Sequence, residues 1–142
     1  MSSRTRALLL GALAAAFLAR VVGQALVAAA PIPCLPPMAA WYSGLLPYSV
    51  LLPVQVAILL VQAAVSSDLW RGRGRFARVR PAAGPLLRRL AYVYAAVMTV
   101  RWMLTTGHRI PIVFHFVLAG YLLVLAGHHR PGTRGQTKPV EG

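Results

Sequence analysis

Along the chain, long apolar runs alternate with short polar or basic interruptions, and four of the runs are long enough to cross a bilayer as helices. A crossing of the roughly 30 Å hydrocarbon core takes about 20 mostly apolar residues in helical form, because backbone groups in lipid must pair within their own segment. The runs occupy residues 7–30, 48–65, 87–106 and 110–127. They predict an all-α membrane protein: a four-helix transmembrane bundle, up-down-up-down. Between the third and fourth runs lies only Gly107-His108-Arg109, with Pro111 suited to a helix start, so these two are expected to form a tight antiparallel hairpin.

The remaining segments differ sharply from one another. Residues 31–47 contain Pro31, Pro33, Pro36, Pro37 and Pro47 and no charge, which excludes a regular helix throughout. This stretch is expected to lie against the outer membrane surface or to cap the bundle, with Trp41, Tyr42 and Tyr48 in the headgroup layer and Trp102 at the same level. Pro53 falls inside the second run, where it is expected to kink the helix. Residues 66–86 form a basic loop, and residues 1–6 and 128–142 form basic ends, the tail expected to be disordered.

Charge then sets the orientation, because Lys and Arg of short loops are retained on the cytosolic side. Arg4 and Arg6 precede the first run. Arg71, Arg73, Arg75, Arg78, Arg80, Arg88 and Arg89 lie between the second and third, and Arg130, Arg134 and Lys138 follow the fourth. Four crossings put all of these on one side and leave Arg109 alone on the other. Both termini and the middle loop are therefore expected in the cytosol, and the bilayer is expected to be a bacterial inner membrane. The competing reading of the first run is a cleaved signal peptide ending at Ala28-Ala29-Ala30. Against it, Arg20 interrupts the run and Pro31 follows the small residues directly. In addition, Ala7, Gly11, Ala15, Ala19 and Gly23 recur every four residues, a small-residue stripe that lets another helix approach closely.

Composition narrows the function classes. Of 142 residues, 58% are apolar and 12% charged, and 15 Lys and Arg face only two acids, giving a net charge of +13. That charge sits beside the apolar runs, and Arg almost wholly replaces Lys, so basicity alone does not argue for nucleic acid. The loop residues Trp70, Arg71, Arg73, Arg75, Arg78 and Arg80 read first as the topology signal and second as a surface for anionic lipid. With only Trp70 and Phe76 for stacking, no nucleic-acid partner is expected. A single cysteine, Cys34, excludes an intrachain disulfide and a CxxC site. No metal or cofactor is expected, since the first three runs contain no histidine.

The candidate chemistry lies at membrane depth. Arg20 falls near the midplane, and Gln24, Gln55, Arg101 and His115 lie in the outer half of their runs, so every helix contributes a polar residue there. Arg20 and Gln24 are four apart and share a face, which is expected to point into the bundle. An arginine at this depth costs about 2.5–3.5 kcal/mol on insertion scales. It keeps its proton and seeks oxygen acceptors. No Asp or Glu of the chain lies at that level. The acceptors left are backbone carbonyls with Gln24 and Gln55, an anionic lipid or small anion, or a partner protein's carboxylate. Arg101 can instead extend its stem to the outer headgroups. Gln62 shares a face with Gln55 and is expected to join helices. The leading expectation is a non-enzymatic subunit or lipid-associated accessory protein, with a protein partner or a second copy as company. The alternative is a carrier or transporter for an anionic or amphipathic solute. A membrane-embedded enzyme comes third, because His115 is the only buried acid-base candidate.

Overall fold

The structure is a computed structural model in which residues 1–41, 46–105 and 109–130 are described. It contains a long helix α1 (Ser3–Ala29), a single turn α2 (Met38–Trp41), and three further long helices, α3 (Tyr48–Arg71), α4 (Ala83–Leu104) and α5 (Arg109–His128). Among the described residues there is no strand. Three helices, α1, α3 and α5, are long and apolar enough to cross a membrane. α4 matches them in length, but Arg88, Arg89 and Arg101 make it less apolar than the others.

Each helix boundary has a local cause. The Ser2 side chain accepts the Thr5 amide at 3.1 Å and caps the start of α1. α3 starts after Pro47, carries Pro53 within it, and runs six residues beyond the expected end at Val65. It stops at Gly72, whose φ of 64° is the left-handed conformation glycine adopts without a Cβ penalty. The Gly72 amide donates to the Leu69 carbonyl at 3.3 Å, and the Arg73 amide donates to the Asp68 carbonyl at 3.2 Å. This is the paired-bond C-terminal cap that satisfies the last carbonyls of a helix. The basic loop is therefore shorter than the sequence suggested, with its first residues, through Trp70 and Arg71, on the last turn of α3.

Packing follows a 3-4 alternation of inward positions. On α1 the buried residues include Ala7, Leu10, Phe17, Val21 and Gln24, and on α3 they are Gln55, Gln62, Val65 and Leu69. α1 packs antiparallel against α3 and α5, and α4 packs against α5 in the most extensive pairing of the fold. That pairing is the hairpin expected from the three-residue connection, although Thr106, Gly107 and His108 lie outside the described residues. No Cα of α3 comes within 8 Å of a Cα of α4. The apolar core sits at the loop end, where Ala7, Leu10, Val65, Leu69 and Tyr121 meet. Tyr121 completes it by donating its hydroxyl to the Gln62 carbonyl at 3.2 Å, tying α5 to α3.

The small-residue stripe of α1 does not keep to one face. Ala7 and Gly23 are buried, but Ala15 and Ala19 are exposed, and a Cβ at Gly11 would meet open space. A spacing of four overshoots the 3.6-residue turn by about 40° each time, so the stripe winds around the helix.

Candidate functional site

At the end of the bundle away from the loop core, polar side chains from four helices converge. Gln24 is 0% and Gln55 3% exposed, and the Nε2 of Gln55 donates to the Oε1 of Gln24 at 3.2 Å across the α1–α3 contact. Arg20, one turn along α1, is 7% exposed. Its Nη2 donates to the Trp41 carbonyl at 3.4 Å, and its guanidinium carbon lies 5.8 Å from the centre of the Phe114 ring. The first contact is long and the second is near the outer limit of a cation–π interaction, so each holds the charge weakly. On the far side, the Tyr94 hydroxyl is hydrogen-bonded to Nδ1 of His115, joining α4 to α5 with the rings edge to face. Arg20 lies within electrostatic range of Tyr48, Tyr94 and His115.

Of the five residues that the sequence singled out, the structure thus gathers Arg20, Gln24, Gln55 and His115 into one region. Arg101 stands at its edge, half-buried in the last turn of α4 and within electrostatic range of His115. Several donors and acceptors have no hydrogen-bond partner among the described residues: Arg20 Nε, Gln24 Nε2, Gln55 Oε1 and the Tyr48 hydroxyl. Both side-chain atoms of Gln62 are in the same condition, so Gln62 does not join helices through its amide; its backbone carbonyl does so instead.

Trp41 departs from its expected place in the headgroup layer. It is buried, its indole lies over Gly23, and its Nε1 donates to the Pro36 carbonyl at 3.0 Å. A glycine at 23 lets the ring lie against the α1 backbone. The proline-rich segment thereby folds over the polar region and supplies the carbonyl that Arg20 uses. Trp102 is exposed, with the Arg109 guanidinium 5.0 Å from its ring centre. Tyr42 lies outside the described residues.

The basic loop is ordered by groups the sequence reading left unassigned. The Asp68 carboxylate accepts the Phe76 amide at 3.0 Å, and Gly74, with φ of 113°, passes so close to that carboxylate that no side chain fits there. His128 donates from Nε2 to the Ala77 carbonyl at 3.1 Å, and His129 accepts the Arg80 amide on Nδ1 at 3.1 Å. Two histidines at the end of α5 therefore clamp the loop. Burial lowers the His129 pKa from its ordinary value, with smaller contributions from His128 and Arg80, in keeping with a ring nitrogen that accepts a hydrogen bond. Trp70, Arg71, Arg73, Arg75, Arg78 and Arg80 all remain exposed. Asp68, the one acid among the described residues, balances only one of these charges.

Between α3 and α4 runs an apolar groove of about 740 Å³ floored by α5. Val54 and Tyr94 line it at the polar end, and Phe76 and His129 line it at the loop end. Tyr94 is shared: its ring lines the groove and its hydroxyl reaches His115. Among the described residues no three His, Cys, Asp or Glu side chains are grouped as metal ligands. Comparison with protein-family models, with curated proteins and with solved structures finds no match to this chain.

Proposed function

We propose that the chain crosses the bilayer four times with both ends and the basic loop in the cytosol, and that it acts as a non-enzymatic, lipid-associated membrane protein, alone or as a subunit of a larger assembly. The observation that supports the fourth crossing is the outward face of α4. Leu86, Val93, Val97, Val100 and Leu104 recur at spacings of seven, four, three and four, and all are exposed. That stripe is the apolar face of an amphipathic helix turned away from the protein. Hydrocarbon is the solvent that accommodates it.

The non-enzymatic reading rests on how the polar groups are engaged. Gln24 and Gln55 bond to each other, Tyr94 bonds to His115, and Arg20 is held between a carbonyl and a ring. Such an arrangement ties helices together within lipid, where interhelical hydrogen bonds contribute about 0.6 kcal/mol each on average. The second reading, a carrier for an anionic or amphipathic solute, is favoured by the unpartnered Nε of Arg20 and Nε2 of Gln24. Under that reading Arg20→Gln abolishes solute binding without loss of expression; under the first it weakens the fold and has no solute to release.

The crossing pattern is tested with Cys34, the sole cysteine, which is exposed. A membrane-impermeant maleimide is expected to label Cys34 in intact spheroplasts. In a Cys34→Ser background, Arg75→Cys is expected to react only after permeabilisation. Labelling of both positions from one side overturns the layout. Purification in mild detergent tests the role: retained lipid or a co-purifying partner supports it, and a lipid-free, partner-free monomer refutes it.

A further inference from the structure

We propose that the groove between α3 and α4 is a binding site for one acyl chain of an anionic phospholipid, with its headgroup held by Arg75, Arg78 and Arg80 at the loop end. This rests on the lipid-associated reading above and goes further, assigning a place and a headgroup class to the lipid.

Three observations carry it. First, the groove needs an occupant. α3 and α4 are joined by residues 72–82 but bring no Cα within 8 Å of each other, and the space between them is walled by Val54, Val61, Leu90 and Leu122. Water gains no partners on such walls, and a void forfeits their dispersion contacts. Second, the size and lining suit the occupant. About 740 Å³ lies within the ordinary range of roughly 300–1,000 Å³ for small-ligand sites. From Val54 to Val65 the groove runs about 16 Å along α3. A flexible hydrocarbon chain lies along such a length against apolar side chains throughout, and a second copy of the chain is the competing occupant that the experiment separates. Third, the charge selects the headgroup. The loop end of the groove is closed by Phe76, which the clamp of Asp68, His128 and His129 holds in place, and the arginines on either side of it are exposed. Asp68, the one acidic residue among the described residues, sets a single negative charge against the five exposed arginines Arg71, Arg73, Arg75, Arg78 and Arg80. A phosphate there meets a net positive surface.

The experiment is native mass spectrometry of the full chain in mild detergent, titrated with phosphatidylglycerol or with phosphatidylcholine. Wild type is expected to bind one phosphatidylglycerol in preference to phosphatidylcholine. Substituting Arg75, Arg78 and Arg80 together by Gln is expected to lower that preference by roughly fivefold for each arginine in contact. Ala57→Trp fills the groove and is expected to remove the bound lipid whatever its headgroup. Val61→Trp does the same one turn along α3, in case the first variant fails to fold. Val93→Trp, on the outward face of α4, is the control and keeps the lipid. If wild type retains lipid but both groove variants retain it equally, the groove assignment is overturned while the lipid-associated reading stands. If wild type binds no lipid, both fail. A dimer broken by Ala57→Trp and free of lipid assigns the groove to a second copy and overturns the proposal. Equal binding of the two lipids by wild type overturns the headgroup assignment.

Discussion

The Gln24–Gln55 pair permits a quantitative test of how this protein tolerates buried amides. Both side chains are essentially inaccessible, they share one hydrogen bond of 3.2 Å, and each keeps one unpartnered atom, Nε2 of Gln24 and Oε1 of Gln55. Replacing one of them by Met, an unbranched apolar side chain that adapts to its surroundings, removes the bond and strands the other amide. The bond itself is worth about 0.6–1.7 kcal/mol within a membrane, and a stranded buried polar group costs about 1–3 kcal/mol. Gln24→Met and Gln55→Met are therefore each expected to destabilise by roughly 1.5–3 kcal/mol. The double variant removes the bond together with every stranded atom of the pair, so it is expected to lie within about 1 kcal/mol of wild type. The coupling between the sites is then about 2 kcal/mol or more, opposite in sign to the single losses. The measurement is reversible unfolding in mixed micelles followed by far-ultraviolet circular dichroism, with all four proteins in one detergent. A double variant as unstable as the sum of the singles refutes the reasoning, because it means that the amides serve partners other than each other.

Three further outcomes follow from contacts described above. A Cβ at Gly23 meets the Trp41 ring at 2.8 Å, so Gly23→Ala is expected to displace the indole and cost about 1–3 kcal/mol, whereas Gly11→Ala, facing open space, is expected to be stabilising by about 0.5–1 kcal/mol. Trp41 emission in a Trp70→Phe, Trp102→Phe background reports the displacement, and equal effects at the two glycines count against the packing. The lowered pKa of His129 means that the unfolded chain binds the proton more readily, so its contribution is full above about pH 6.5 and is lost as the pH falls through the folded value. Thermal stability is expected to drop between pH 7 and pH 5 in wild type and to drop less in His129→Gln; parallel profiles count against the clamp. Gly74→Ala combines a positive φ with a collision against Asp68 and is expected to raise proteolysis between Arg73 and Arg80, which unchanged cleavage rates contradict.

Much of the helical layout was legible because apolar runs of this length have few soluble alternatives. The α4–α5 hairpin was legible because three residues leave no room for another arrangement. The shared inward face of Arg20 and Gln24 followed from their spacing, and Gln55 and His115 fall in the same region as expected. Other features depend on contacts that no single segment encodes. The sequence shows tyrosine at 94 and histidine at 115, but their bond exists because the hairpin sets two polar rings against each other. A buried tyrosine hydroxyl requires a partner, and that requirement was the available signal. Trp41 was misplaced because an aromatic residue after a proline-rich stretch fits a headgroup anchor as well as a plug over Gly23. The groove was invisible because a short linker suggests that α3 and α4 pack directly, whereas they face each other with no Cα pair within 8 Å.

The order of contacts also bears on how the molecule is assembled. α1 and α3 pack directly, so the first half of the chain can pair as soon as both are made. α4 packs closely, backbone to backbone, with α5 alone among the long helices, and α5 packs in turn on α1. A chain truncated before Arg109 therefore retains a helical pair and releases α4 as an orphan, so quality-control proteolysis of such a fragment is expected to begin within Ala83–Leu104.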